Sequence, residues 1–330
     1  MSSLNSLLDR AQSFAPEYAG RLSSHLPMAL VALHALGAND EQLERGFVNA
    51  SRKLEPASPA TEPCADWVEL RGQPAAFAAI RAHFIRKLST HGIDIVVRAA
   101  LPLLIDGVGG NAFHGLLRLA AAKVAEHDAE IASGLAHWAC SHMPIAGSAS
   151  SGASDVPSYR ATKLELRTWL AEMTSTPVNW KSHDGMISNR MLAYGKNAAF
   201  QTTAPRLQVH QGTLRELASL ALEHYLRSRN FTVLHLITGT HAMRLLLPYF
   251  DAPELAVHHY AIAFAAGVAA SDINADAAAL PVALKSWQAL REIAYNDDDE
   301  HVIKLIYACR EEFLATGDDR YQRAASLVKH

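Results

Sequence analysis

Apolar residues recur at intervals of three and four through residues 26–36, 76–88, 113–126, 160–171, 213–227, 241–249, 254–270 and 301–315. That spacing gathers them on one face of a 3.6-residue helix, so each segment is predicted to be an amphipathic α-helix. The period-two alternation of a half-buried strand is nearly absent. Alanine, the best intrinsic helix former, fills many of the same segments. The fold class that follows is all-α, a compact multi-helix domain.

Two stretches interrupt the pattern. EPASPATEP at 55–63 is rich in proline, and IAGSASSGASDVPS at 145–158 is rich in serine and glycine. The second lies near the middle of the chain and reads either as an interdomain linker or as a flexible loop over a site. The loop is favoured, with residues 1–330 as one domain, because the histidine pattern described below draws on both halves. No fixed-period repeat points to a solenoid.

Composition narrows the function. The 330 residues hold 30 basic and 33 acidic side chains, interspersed, for a net charge of -3. Such a surface offers no footprint for a phosphate backbone or an anionic bilayer, so neither nucleic acid nor membrane is expected as a partner. Cys64, Cys140 and Cys309 are too far apart for a C-x-x-C site and odd in number, which fits a reducing compartment. The segment MSSLNSLLDRAQSF does not read as a secretory signal, and no apolar run reaches membrane-spanning length. A cytoplasmic location is expected.

The 17 histidines are the unusual feature, and their positions matter more than their number. In SSHLPMALVALHALGA, Ser23 or Ser24 is expected to cap a helix that takes Pro27 in its first turn and stops at Gly37, with His25 at its start. In GGNAFHGLLRLAAA, Asn111 is the expected cap and His114 follows it. In NDDDEHVIKLIYACREE, the Asp297–Asp299 run suits the positive helix terminus, with His301 just after. NFTVLHLITGTHAMRLLLP offers His235 after an Asn230 or Thr232 cap, and His241 after Thr240. The positive end of a helix dipole disfavours imidazolium, leaving the neutral ring that a metal ion requires. Helix N-termini converging on a central histidine-rich cavity would assemble such a site without any local metal motif.

Taken singly, a histidine near a helix start is most often an ordinary, partly buried side chain. That reading is kept for His34, His83, His91, His127, His137, His142, His183, His210, His224 and His330. His258 and His259 are adjacent and cannot both face one point from a helix. Lys304 lies three residues after His301, on the same helical face, among Val302, Ile303, Leu305, Ile306 and Tyr307. Burial there would favour a neutral amine, able to act as a base or to be carbamylated into an anionic oxygen ligand. The alternative is a lysine snorkelling to solvent.

Other motifs are weak. Gly107, Gly109 and Ala112 match G-x-G-x-x-A, but Pro102 spoils the preceding strand and helices follow. GSASSGAS lacks the G-K-[ST] ending of a phosphate loop. Neither G-x-S-x-G nor H-E-x-x-H occurs.

The blocks SSHLPMALVALHALGA, GNAFHGLLRLA, LHLITGTHAMRLLLPYF and DDDEHVIKLIYACREE together resemble, in order, those of the questin oxidase-like family, over about residues 18–315. The resemblance implies an oxidoreductase that uses dioxygen on an aromatic substrate, since fungal members open an anthraquinone ring in a Baeyer–Villiger-like oxidation. It further implies a mononuclear non-haem iron held by histidines and a carbamylated lysine. On that basis the expected ligands are His25, His114, His301 and Lys304, with a fourth histidine from His235 or His241. Those two stand six residues apart, about 120° around a continuous helix, so both could ligate only if Gly239 breaks it.

Phe113, Trp138, Trp287 and Tyr307 are candidate stacking surfaces for a planar substrate, though such residues are more often plain core. Arg118, one turn after His114, could orient a phenolate or a ligand, or form a surface ion pair. The chain is short and alanine-rich beside the fungal enzymes, so its substrate need not be an anthraquinone. No flavin or nicotinamide fingerprint is present, so NADPH would bind by an unrecognised mode or be unnecessary. Two other readings stay open: a non-catalytic helical small-molecule-binding protein, and a zinc-dependent hydrolase on the same histidines. Oligomeric state leaves no mark on the sequence.

Overall fold

The computed structural model describes residues 3–146, 162–180, 185–274 and 277–328. Most of the 145–158 segment lies outside the described residues.

The first half of the chain contributes α1 (Ser3–Ala11), a small antiparallel hairpin of β1 (Glu17–Tyr18) and β2 (Leu22–Ser23), α2 (Leu26–Leu36), α3 (Asp40–Ser51), α4 (Phe77–His91), α5 (Ile93–Ala100), α6 (His114–Ala125) and α7 (Asp128–Cys140). The second adds α8 (Leu166–Met173), α9 (Ile187–Gly195), α10 (Ala198–Thr203), α11 (Thr213–Ser228), α12 (Phe231–Leu246), α13 (Pro253–Ala270), α14 (Trp287–Asn296), α15 (Glu300–Thr316) and α16 (Arg320–Ser326). The all-α reading therefore holds, the hairpin being the only sheet among the described residues. No helix among them is long and apolar enough to cross a membrane.

Four helices frame everything that follows. α2 packs on α6, α6 on α12, α12 on α15 and α15 on α2, closing a ring. Met28, Leu117, Thr238 and Lys304, one from each helix, line one interior space. Each lies three residues after a histidine on or at the start of its helix: His25, His114, His235 and His301. All four helices thus run the same way from a layer of histidines, because i and i+3 share a helical face.

Local sequence explains most of these elements. α2 takes Pro27 in its first turn and ends at Gly37, whose φ of 95° a residue with a Cβ rarely adopts. The Asn230 side chain caps α12 by accepting from the Thr232 and Val233 amides, and Asp299 caps α15 by accepting from the His301 amide. α3 carries a full capping box between Asn39 and Gln42. α7 shows no clear face because nearly every residue of it is buried.

Three local expectations need correction. Neither Ser23 nor Ser24 caps α2; His25 itself occupies that position, with no side-chain bond to the helix. Asn111 does not cap α6 either. Instead Asn111, Ala112 and Phe113 form a left-handed turn at φ of 46°, 53° and 70°, and the Asn111 side chain donates to Glu17 Oε1 at 2.6 Å. Nor does a helix begin after Thr240. α12 runs unbroken through Gly239, whose missing side chain admits the Tyr260 hydroxyl and the Phe113 ring, and the segment predicted at 241–249 is the end of α12 plus a 3₁₀ turn.

Candidate metal centre

Each histidine of the layer arrives by a different local device. His25 ends the connection from the hairpin into α2. His114 opens α6 directly after the left-handed turn, three consecutive non-glycine residues in a region that costs roughly 1–3 kcal/mol each. The turn brings the Asn111 carbonyl back to accept from His114 Nδ1. His235 stands one turn into α12 and donates from Nδ1 to the Phe231 carbonyl at 2.9 Å. His301, second residue of α15, donates from Nδ1 to Asp299 Oδ1 at 2.9 Å. Fixing Nδ1–H in this way leaves Nε2 as the lone-pair nitrogen, the arrangement found behind metal-bound histidines.

The rings meet. His25 and His114 stack at 4.6 Å between centroids, His301 stands edge-on to His25 at 4.4 Å, and His235 closes the figure at 5.2 Å from His114 and 5.3 Å from His301. One nitrogen from each of His25, His114 and His301 lies within 4.8 Å of the others. A point then exists within about 2.8 Å of all three, so small rotations reach the roughly 2.1 Å of a metal–imidazole bond. His114 Nε2 is buried with no hydrogen-bond partner among the described residues, and so is Lys304 Nζ. Orphaned donor atoms of this kind fit a bound cation.

Electrostatics agree with that fit. Burial, joined by repulsion from the neighbouring rings and Lys304, holds His25, His114 and His235 well below the usual histidine range. His301 is lowered by burial, partly opposed by Asp299. Lys304 is 5% exposed, and burial pushes its ammonium down to about 7 despite Glu300 and Asp299 nearby. Four imidazoles held below their usual range and a desolvated amine therefore gather in one region of low polarity.

A cavity of about 330 Å³ opens on the rings, lined also by Tyr18, Arg21, Leu22 and Ser23 of the hairpin, by residues 185–188 and by Phe231. Phe231 is 53% exposed and stacks edge-on against His235 and His301 at 4.9 and 4.6 Å. It also walls a second depression of about 650 Å³.

The remaining sequence candidates lie elsewhere. His241 is on the same helix as His235 but one layer deeper, donating from Nδ1 to Glu312 Oε1 at 2.7 Å. Arg118 turns its guanidinium onto Glu130, with Nε to Oε1 at 2.5 Å and Nη2 to Oε2 at 3.0 Å, an ion pair that is buried rather than the surface pair expected as its alternative. Phe113 and Trp138 are fully buried, Trp287 packs on Phe313, Tyr307 faces His241, and none of the four lines the cavity. The aromatic groups that do, Phe231 and Tyr18, went unnoticed in the sequence. Phe231 could have been found from its place four residues before His235, directly after the Asn230 cap. Gly107 and Gly109 belong to a run of 3₁₀ turns rather than to a dinucleotide-binding strand–helix unit.

The fold is that of an all-helical protein in which His25, His114 and His301 form a group that could hold a metal ion. The chain belongs to the questin oxidase-like family, whose model matches residues 22–309. That membership points to an oxidoreductase. No curated protein matches the chain.

Proposed function

We propose that this protein oxidises or cleaves an aromatic, quinone-like small molecule with dioxygen at a non-haem iron held by His25, His114, His235 and His301, with Lys304 as a fifth donor. The observation that carries the reading is the closed figure of four imidazoles, three of them tied back through Nδ1, beside a buried lysine. Bound iron would supply the redox change and the open coordination position that dioxygen chemistry needs.

The protein's own groups do the rest. The Asn111 and Phe231 carbonyls and the Asp299 carboxylate hold each Nδ1–H and so keep each Nε2 turned to the centre. Lys304 offers a neutral amine near pH 7, which as a carbamate formed with carbon dioxide becomes an anionic oxygen donor. The 330 Å³ cavity is of a size for a planar two- or three-ring molecule, and Phe231 presents its exposed ring beside two site histidines. NADPH, for which the sequence carries no fingerprint, would bind by an unrecognised mode or be unnecessary if both oxygen atoms enter the product.

Elemental analysis of protein purified without a histidine tag is the test. Near one iron per chain, with oxygen uptake on hydroxylated anthraquinones under air, supports the reading. Zinc with activity that persists without oxygen would make the protein a hydrolase, since neutral imidazoles suit zinc equally. No metal after anaerobic ferrous reconstitution would leave a helical binding protein.

A further inference from the structure

Beneath the histidine layer the four-helix ring borders a further, separate cavity. Its first tier is Met28, Leu117, Thr238 and Lys304, and its next is built from Ala120, His241, Ala242 and Ala308. Its outer lip is Ala121, Leu245 and Tyr307, all only partly buried. Lys304 lines this cavity and not the wide one, so the two approach the centre from opposite sides of the histidines. We propose that this axial cavity is a second way into the centre and takes dioxygen, while the wide cavity takes the organic substrate.

Size argues first. The axial space is about 40 Å³ against about 330 Å³ for the other, room for a molecule of two or three heavy atoms and no ring. Lining argues second. Met28, Leu117, Ala120, Ala242 and Ala308 present only carbon and thioether sulfur, and the Thr238 hydroxyl is already donated to the Leu234 carbonyl at 3.3 Å. Walls that are mostly apolar admit uncharged gases. Placement argues third. The inner end reaches Lys304, buried and with no hydrogen-bond partner for Nζ among the described residues, one helical turn from His301. A reactant arriving there meets the centre without crossing the space that the aromatic molecule fills. His241, which lines the same space, has a buried Nε2 without a partner among the described residues, its other nitrogen being committed to Glu312, and Tyr307 adds a phenol at the lip. A water held between His241 and Lys304 is therefore the rival occupant.

The inference rests on the oxygen-dependent reading above, and the experiment separates the two. Crystals of the full-length protein are pressurised with xenon, and steady-state oxygen uptake is measured for the wild type, Ala308→Leu and the lip variant Ala121→Leu. Xenon is expected between Ala120, Ala242 and Ala308 in the wild type and absent in Ala308→Leu. Both variants should raise the KM for dioxygen several-fold while iron content and the KM for the aromatic substrate stay as in the wild type. Should Ala308→Leu fail to fold, Ala121→Leu at the half-buried lip carries the kinetic arm. An ordered water bridging His241 and Lys304 with no xenon overturns the proposal, as does an unchanged KM for dioxygen in a folded variant. If the wild type takes up no oxygen, the functional reading fails on its own, and xenon occupancy alone then upholds or overturns the cavity as a gas site.

Discussion

The imidazole rings of His25 and His114 lie face to face, 4.6 Å apart and 4° from parallel. Two imidazolium ions could not be stacked so closely in a dry site, so the contact requires neutral rings with lone pairs to offer. His114→Ala should abolish iron binding while leaving the far-ultraviolet circular dichroism unchanged. His235→Ala should lower metal content as well. His241→Ala should leave the iron in place, because His241 is bound to Glu312 instead. Retention of full metal content in His114→Ala would sink the assignment of the layer.

The metal-free protein should gain stability as pH rises. Lys304 loses its proton at about 7 when folded, against an ordinary value of 10.5 when unfolded. Between those values the unfolded chain binds a proton that the folded chain does not, so stability climbs with pH across this window and falls as pH drops toward 7. The lowered histidines add a further loss below about 6.5, where the unfolded chain begins to take up their protons. Urea unfolding at a series of pH values checks the slope, and Lys304→Met, similar in volume, should flatten it between 7 and 10.5.

Phe231→Ala should weaken the substrate more than the fold. The ring is half exposed and its main neighbours are His235 and His301, so its removal should raise the KM for an aromatic substrate about tenfold with little change in melting temperature. Phe231→Trp should preserve the KM. Equal KM values for the alanine variant and the wild type would remove Phe231 from the substrate surface.

Arg118 and Glu130 form a two-point ion pair, both nearly inaccessible, and Gln12 adds a bond of 2.7 Å to Glu130. Removing either partner leaves a buried charge unpaired, so Glu130→Ala should destabilise by about 3–5 kcal/mol in denaturant unfolding. Iron content at low temperature should be unaffected, since the pair joins α6 to α7 away from the histidine rings. A catalytic Arg118 would instead show Arg118→Ala as folded, stable and inactive.

The all-α class and about half of the helices were legible in the sequence by itself, whereas α1, α3, α5, α7, α9, α10, α14 and α16 left no such mark and the periodic stretch of α12 was placed too late, at 241–249. Periodicity of three and four, the proline and glycine flanking α2, and the Asn230 and Asp299 caps are local effects, settled by backbone sterics and hydrogen bonds within a few residues. The sequence also singled out His25, His114, His235, His241 and His301, because a histidine near an expected helix start can be seen in one dimension. Only the tertiary structure decided which of them meet. His235 and His241 looked equivalent until packing carried α12 straight through Gly239, where Tyr260 and Phe113 need the space a side chain would fill. The left-handed turn at Asn111–Phe113 was equally invisible, since neither Ala112 nor Phe113 favours that backbone and the Asn111–Glu17 bond that accompanies it spans 94 positions. The pairing of Arg118 with Glu130 and the exposure of Phe231 were fixed in the same way, by contacts between helices distant in sequence. Local propensity chooses an element, but the partner of a side chain is set by whichever surface the rest of the chain brings against it.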